Sequence, residues 1–175
     1  MRPASQVGDI VIQAMIRRAA CTPEGSFVEV GVFQGGTAWH LDHLAQAQLR
    51  NLYLYDTFTG MPYSSSLDVH KVGDFSATSL ESVQKIFASS PRTQVIAGLF
   101  PDSAVPMGPL AFVHLDCDQY KAYHESIEYL KPLMVPGGVM WFDDSPCLGS
   151  AKQAVEECFK DREILMDCGK HYVVF

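Results

Sequence analysis

Short runs of apolar residues alternate along this chain with segments in which apolar positions recur every three or four residues. The runs have the length and the β-branched or aromatic content of buried strands, and the recurring positions are typical of helices. The predicted strands are residues 27–30, 52–56, 94–98, 110–115 and 137–142. The predicted helices are residues 6–20, with Ser5 as a possible N-cap, and 37–47, 79–89, 120–130 and 150–160. This alternation predicts an α/β fold with a doubly wound, mostly parallel, Rossmann-like sheet.

The end of the chain predicts two further strands, at residues 163–167 and 172–175, around a turn at Gly169. A parallel return needs a crossover of a dozen or more residues, so this pair must be antiparallel. We therefore expect a seven-stranded sheet whose last strand is antiparallel. A length of 175 residues with 47% hydrophobic content fits a single domain over 1–175, with an N-terminal helix in 1–26 and the core in 27–175.

Charge and cysteine usage narrow the range of partners. The net charge of -7 and the lack of a Lys/Arg run argue against nucleic acid. Five scattered cysteines without a Cys-x-x-Cys pair predict reduced and mostly packed thiols. The sequence shows neither an apolar window long enough to span a membrane nor a signal-peptide pattern, so we expect a cytoplasmic protein with no membrane partner.

A glycine-bearing loop after the first strand predicts a nucleotide site. Its pattern, Glu29-x-Gly31-x-x-x-Gly35-Gly36, lacks the second glycine of a dinucleotide fingerprint, which favours a nucleoside cofactor without a pyrophosphate. Asp56 follows Gly31 by 25 positions, near the interval at which an acidic residue on the second strand meets a ribose diol. We favour ribose binding over a helix cap for this residue.

Carboxylates also end the fourth and fifth predicted strands, at Asp116 and at Asp143-Asp144. Parallel strands end at one edge of a sheet, where these groups would repel one another unless they were protonated, hydrogen-bonded or bridged by a cation. An all-oxygen trio suits Mg²⁺. The Asp-Asp pair could instead cap the helix that follows, and spacing alone leaves both alternatives open.

Several motifs together resemble the macrocin O-methyltransferase family. Members are class I S-adenosylmethionine-dependent enzymes that need Mg²⁺ and methylate sugar hydroxyls of macrolides and related natural products. The resemblance covers about residues 27–159. It is carried by Phe-Val-Glu-Val-Gly-Val-Phe-Gln-Gly-Gly at 27–36, Tyr-Asp-Thr-Phe-Thr-Gly-Met-Pro at 55–62, Gly-Asp-Phe at 73–75, His-Leu-Asp-Cys-Asp-Gln-Tyr at 114–120, Pro-Gly-Gly at 136–138 and Asp-Asp at 143–144.

The resemblance implies roles for individual residues. Glu29 and Gly31 would form the wall around the methionine part of the cofactor, Asp56 would accept the ribose diol, and Gly98 and Leu99 would border the adenine. The metal ligands would be Asp116, Asp143 and Asp144. The full cofactor-binding set is Glu29, Gly31, Thr37, Asp56, Thr57, Gly98, Leu99 and Asp116. Family members usually carry a longer N-terminal segment that helps to close the acceptor site. The identity of the acceptor, the closure of the site and the oligomeric state are therefore the family properties that carry over least to this chain. For the oligomeric state, a homo-oligomer is one of the alternatives.

The function that this resemblance implies is an S-adenosylmethionine- and Mg²⁺-dependent O-methyltransferase acting on a small-molecule hydroxyl, with a sugar of a glycosylated natural product or another diol as the acceptor. The catalytic candidates are His70, Asp116, Asp118 and Lys121, of which His70 lies on a long Gly-, Pro- and Ser-rich loop at 57–78. His114 is also a candidate base, but we interpret it as a hydrogen-bonded core histidine. The alternatives are a metal-independent methyltransferase of the same fold and a non-catalytic nucleoside-binding module.

Overall fold

A computed structural model describes residues 3–175 and shows the predicted alternation of helices and strands. Every predicted strand and helix is present, and β2, β4 and α4 have the predicted bounds. The elements are α1 (Asp9–Ala20), β1 (Ser26–Val30), α2 (Gly36–Ala47), β2 (Leu52–Asp56), α3 (Leu80–Ile86), β3 (Thr93–Ala97), β4 (Leu110–Leu115), α4 (Tyr120–Leu130), β5 (Met134–Phe142), α5 (Gly149–Cys158), β6 (Leu165–Asp167) and β7 (Lys170–Val174).

The seven strands form one sheet in the order β3-β2-β1-β4-β5-β7-β6. The first five strands are parallel, whereas β7 is antiparallel to both β5 and β6, which confirms the predicted class. The chain leaves β3 at one edge and returns beside β1 in the middle. In sheets of this kind a ligand binds where the strand order reverses, at the carboxyl ends of the strands. That point lies here between β1 and β4.

Two hydrophobic clusters cover the two faces of the sheet. One contains residues of α4 and α5 around Tyr55, Phe142 and Phe159, and the other contains residues of α1 and α2 around Phe27 and Trp141. Every residue of β1 and of β4 is buried, as expected for central strands covered on both faces. The core thus holds the ends of β1 and β4 in fixed positions.

The predicted boundaries differ from the structure by up to three residues, at the start of α1, at the end of α3 and at the start of β5. We expected a helix from residue 6 with Ser5 as a possible cap, but α1 begins at Asp9 with Gly8 at the N-cap position. The Ser5 hydroxyl instead lies 2.9 Å from the hydroxyl of Thr37 on α2. The strand β5 begins three residues earlier than predicted, because Met134 pairs with Leu110 across an irregularity in the ladder. A side-chain pattern cannot reveal such tertiary partners.

All five cysteines are free, as predicted, but they are not mostly packed. Cys117 and Cys158 are buried, whereas Cys21, Cys147 and Cys168 are exposed. Residues 57–79 contain neither a helix nor a strand, which confirms the predicted long loop. Across residues 3–175, no helix combines the length and the apolar character needed to cross a membrane.

Candidate active site

The loop that follows β1 passes very close to the end of β4. At Gly31 the backbone φ is +92°, and a Cβ atom would lie 1.8 Å from the carbonyl oxygen of Asp116. At Gly36, which begins α2, a Cβ atom would lie 2.2 Å from the carbonyl oxygen of Ala4. A side chain fits at neither position, so these two glycines allow three backbone segments to meet beside the switch point of the sheet.

Asp56, at the end of β2, binds the backbone of this loop and of the next one. Its Oδ2 accepts hydrogen bonds from the N–H groups of Val32 (2.8 Å) and Phe33 (2.7 Å), and its Oδ1 accepts one from Phe58 (2.7 Å). The carboxylate therefore organises the glycine loop, a role that sequence reasoning missed. Oδ1 retains the capacity for a second donor, and the contact with a ribose diol stays a prediction.

One cavity collects the residues that the sequence proposed for the cofactor. It lies outside the carboxyl ends of the strands, and all eight predicted residues line it: Glu29, Gly31, Thr37, Asp56, Thr57, Gly98, Leu99 and Asp116. Apolar wall residues that were not predicted include Phe33, Met61, Pro62, Phe75 and Phe100. Four of these, Phe33, Met61, Pro62 and Phe75, belong to the quoted motifs at 27–36, 55–62 and 73–75, which was a signal that could have found them.

Residues 4–7 also line the cavity, which the sequence did not suggest. This N-terminal segment crosses the start of α2, where the Ser5 and Thr37 hydroxyls are 2.9 Å apart and the absence of a side chain at Gly36 leaves room for it. Ser5 also accepts a hydrogen bond from the N–H of Val7. The described N-terminus is therefore part of the wall of the site.

Glu29, which lines the cavity, forms a buried pair with His114 behind the cavity wall. They are direct neighbours in the register of β1 and β4, and Oε1 of Glu29 lies 2.9 Å from Nδ1 of His114. The histidine is fully buried, which confirms its interpretation as a hydrogen-bonded core residue. Burial raises the pKa of Glu29, and the hydrogen bond from His114 opposes that rise.

Three carboxylates converge beside this pair. One oxygen from each of Asp116, Asp118 and Asp144 lies within 4.8 Å of the other two. Asp144 is held by protein donors, because its Oδ2 accepts hydrogen bonds from the N–H of Asp118 and the hydroxyl of Tyr123, both at 2.9 Å. Asp118 occupies the left-handed region with a φ of +57°. This strained backbone directs its N–H to Asp144 in the crowded turn after β4.

The proximity of these groups perturbs their titration. Burial, followed by repulsion from Asp144, raises the pKa of Asp116 well above its usual range. The same two causes raise the pKa of Asp118 to about 8. Burial also raises the pKa of Asp144, although the hydrogen bond from the Asp118 N–H opposes the rise. A bound cation would relieve this repulsion.

Asp143 is placed differently from the other two predicted metal ligands. Its Oδ2 forms an ion pair with Nζ of Lys170 at 2.9 Å, and its Oδ1 is buried without a hydrogen-bond partner among the described residues. The structure thus groups Asp118, in place of Asp143, with Asp116 and Asp144. Lys170 on β7 accounts for the difference, because it attracts the Asp143 carboxylate from the neighbouring strand.

The alternative that Asp143 and Asp144 cap the following helix is wrong. Helix α5 begins at Gly149, its N-cap residue is Leu148, and no side chain caps it. Four residues separate Asp144 from the start of the helix, and both carboxylates are bound to other partners. The pair therefore belongs to the cavity, whose wall includes both residues.

Of the two remaining catalytic candidates, His70 contacts the carboxylate cluster and Lys121 does not. Nε2 of His70, on the long loop, lies 3.4 Å from Oδ1 of Asp118. Lys121 is on α4, where its Nζ lies 4.4 Å from the centre of the Tyr63 ring and 3.7 Å from Oε1 of Glu125. It does not line the cavity, because these two partners hold it at the surface.

Comparison with known proteins supports a specific family. The sequence model of the macrocin O-methyltransferase family, TylF, matches residues 11–170. The chain is 30% identical over 137 residues to the 8-demethyl-8-(2,3-dimethoxy-alpha-L-rhamnosyl)-tetracenomycin-C 4'-O-methyltransferase of Streptomyces olivaceus. The aligned residues cover 69% of this chain and 52% of that protein.

One further curated relative agrees with this match, and a solved structure shares the fold. Demethyldecarbamoylnovobiocin O-methyltransferase of Streptomyces niveus is 26% identical over 150 residues, which covers 76% of this chain and 57% of that protein. The chain thus spans about half the length of these curated relatives. The solved structure of the O-methyltransferase NovP has a TM-score of 0.84 at 24% identity and covers 97% of this chain and 81% of that one.

The close approach at Gly31 generates a test of the loop. A Gly31→Ala substitution should destabilise the protein by several kcal/mol, since it combines a positive φ with an overlap against the Asp116 backbone. Gly108→Ala is the matched control, because its φ is also positive (+68°) but no atom of residues 3–175 lies within 4 Å of the added Cβ. We expect the control to lose only about 1–2 kcal/mol, measured by urea unfolding. Equal losses would contradict the close approach.

The carboxylate cluster generates a prediction about pH. With its pKa raised to about 8, Asp118 binds more protons in the folded than in the unfolded state between about pH 4 and 8. Stability contributed by the protonated form is lost as the pH rises through this window. In EDTA, Tm should therefore fall from pH 5 to pH 8, and Asp118→Asn should reduce the slope. The same slope in the variant would contradict the assignment.

Proposed function

Because the chain belongs to the macrocin O-methyltransferase family, we propose that it transfers a methyl group from S-adenosylmethionine to a hydroxyl of a small molecule. The proposed acceptor is a sugar of a glycosylated natural product. The tetracenomycin relative supports this choice, because its name specifies methylation of a rhamnosyl derivative at the 4' position. A catechol-like diol would present adjacent oxygens in the same way and is the acceptor class to compare.

One observation carries the proposal: a single cavity joins the predicted cofactor residues to the carboxylate cluster. In this proposal the ribose lies at Asp56, whose strand is on one side of β1, and Asp116 follows the strand on the other side, with Glu29 on the strand between them. A cofactor that extends along the strand ends would place its sulfonium methyl toward the carboxylates. An acceptor bound there would meet the methyl group in line, which is the positioning that such a transfer needs.

The carboxylates fit a hard divalent cation. The oxygens of Asp116, Asp118 and Asp144 converge, and burial and repulsion from Asp144 raise the pKa values of Asp116 and Asp118. Asp143 beside them has a buried oxygen without a hydrogen-bond partner among residues 3–175. We propose that Asp116, Asp143 and Asp144 hold Mg²⁺. When bound, Mg²⁺ supplies a positive charge that lowers the pKa of an acceptor hydroxyl and orients it.

The neighbouring side chains have supporting tasks. Tyr123 and the N–H of Asp118 hold Asp144, and Lys170 holds Asp143 through one oxygen while the other remains available. His70 is our proposed proton acceptor, because its Nε2 lies 3.4 Å from Oδ1 of Asp118 and its ring packs on Phe75, and both of these residues line the cavity. Asp118 would orient the imidazole and stabilise its charged form.

A metal-independent methyltransferase of the same fold is the second candidate. It is favoured by the ion pair between Lys170 and Asp143 and by the two donors on Asp144, which compensate these carboxylates without a cation. In that case the cluster would be structural and the acceptor hydroxyl would lose its proton directly to His70 or Asp118.

Methyl transfer from labelled S-adenosylmethionine tests the function. The purified chain should methylate glycosides with free vicinal hydroxyls, lose turnover in EDTA and regain it when Mg²⁺ is added in excess. Turnover that survives chelation supports the metal-independent candidate. Both the metal-dependent and the metal-independent methyltransferase proposals require this cofactor site. If calorimetry detects no binding of S-adenosylhomocysteine, then both proposals are wrong.

Two neutral substitutions test which carboxylate is the third ligand. Asp143→Asn should raise the Mg²⁺ concentration for half-maximal activity by about tenfold or more, because it removes a charged ligand oxygen. Asp118→Asn should change that concentration by less than about threefold while lowering kcat through His70. The opposite result would assign Asp118 to the metal, as the distances within the carboxylate cluster suggest. Lys121→Gln is the matched control and should leave both quantities unchanged.

A further inference from the structure

We propose that His114 is a positioning residue for the methyl donor, which holds Glu29 so that the free oxygen of Glu29 receives the ammonium group of S-adenosylmethionine. The inference rests on the proposed function, because it requires this cofactor in the cavity. It adds a role for a core histidine that takes no part in proton transfer.

The geometry of the pair leaves one carboxylate oxygen available. His114 Nδ1 donates to Oε1 of Glu29 at 2.9 Å, and both side chains are buried, at 0% and 1% exposure. Oε2 of Glu29 has no hydrogen-bond partner in the described part of the chain, although Glu29 lines the cavity. A buried carboxylate oxygen without a partner is costly, so an occupant of the cavity that donates to it would bind with a corresponding gain.

The charge of the cavity indicates what kind of donor this is. Its described wall contains six carboxylates and no Lys, Arg or His side chain; the six are Glu29, Asp56, Asp116, Asp118, Asp143 and Asp144. Such a wall favours a cationic ligand. S-adenosylmethionine carries two positive groups, the sulfonium and the α-ammonium, and the ammonium is the one that donates hydrogen bonds.

The order of the strands assigns the amino-acid end of the cofactor to Glu29. Asp56 ends β2 on one side of β1, and Asp116 follows β4 on the other side. If the ribose lies at Asp56, then the sulfonium and the amino-acid part extend toward Asp116. Glu29 on β1 lies on that path, because it precedes Val30, the last residue of the strand, after which the glycine loop begins.

His114 determines which oxygen is available because it occupies the other one. Trp141 on β5 lies in register with His114. Nε2 of His114 and Nε1 of Trp141 are both buried without a partner in residues 3–175, and the indole nitrogen can only donate. An ionised carboxylate only accepts hydrogen bonds, so the contact with Glu29 requires the proton of His114 on Nδ1, the nitrogen that faces it.

A comparison of two ligands separates positioning from general destabilisation. S-adenosylhomocysteine contains the amino-acid part, whereas 5'-methylthioadenosine lacks it and keeps the nucleoside. Calorimetry on the full chain gives Kd for each ligand with wild-type protein, His114→Phe and His114→Asn. Tyr172→Phe is the matched control, because Tyr172 lies in the same row of the sheet without contacting Glu29.

The phenylalanine variant should bind S-adenosylhomocysteine about tenfold or more weakly, as expected for losing one charge-assisted hydrogen bond, and 5'-methylthioadenosine within about threefold of wild type. The asparagine variant keeps an N–H donor and should therefore retain most of the wild-type ratio between the affinities for S-adenosylhomocysteine and 5'-methylthioadenosine. If the phenylalanine variant shows no cooperative thermal transition, then His114→Leu replaces it in the same comparison, with His114→Asn as the folded reference.

The outcomes distinguish this inference from the proposed function. Equal weakening of both ligands, unchanged affinity for S-adenosylhomocysteine, or the same loss in His114→Asn as in the apolar variant would overturn the positioning role alone. Failure of the wild-type chain to bind S-adenosylhomocysteine would instead contradict the proposed function.

Discussion

The close crossing of the backbone after β1 and the end of β4 is the constraint on which the site depends. A side-chain atom at residue 31 would lie 1.8 Å from the carbonyl oxygen of Asp116, so the two segments can meet only at a glycine. This contact places the glycine loop, which Asp56 holds through two backbone N–H groups, directly against the turn that carries the carboxylate cluster. The sites proposed for the donor and for the acceptor therefore share one cavity.

Compensation of buried charge explains how so many carboxylates can lie at one edge of a sheet. Asp56 is compensated by backbone donors, Glu29 by His114, Asp143 by Lys170 and Asp144 by Tyr123. Asp116 and Asp118 are the exceptions: burial and repulsion from Asp144 raise the pKa of Asp116 well above its usual range and that of Asp118 to about 8. The electrostatic cost is therefore concentrated beside the position where a cation and an acceptor oxygen would bind.

The wall of the cavity also shows how a local sequence position acquires a tertiary role. Ser5 was a plausible helix cap by residue type, yet it lies against Thr37 and helps to cover the start of α2. Lys121 was a plausible catalytic group by its position after β4, yet Tyr63 and Glu125 hold it at the surface. In both cases the residue type indicated the chemical capacity of the side chain, but the sequence did not indicate which residues it contacts in the folded protein.

The sequence by itself determined the strands, the helices, the antiparallel end of the sheet and the edge at which Glu29, Asp56, Asp116 and Asp144 gather. These follow from local periodicity and from the rule that parallel strands end together, neither of which needs a side-chain position. Tertiary structure decided the partners: His114 for Glu29 across 85 positions, Lys170 for Asp143 across 27, and Asp118 as the third member of the carboxylate cluster. Such pairs depend on which strands become neighbours, and a single sequence does not encode that adjacency in any local pattern.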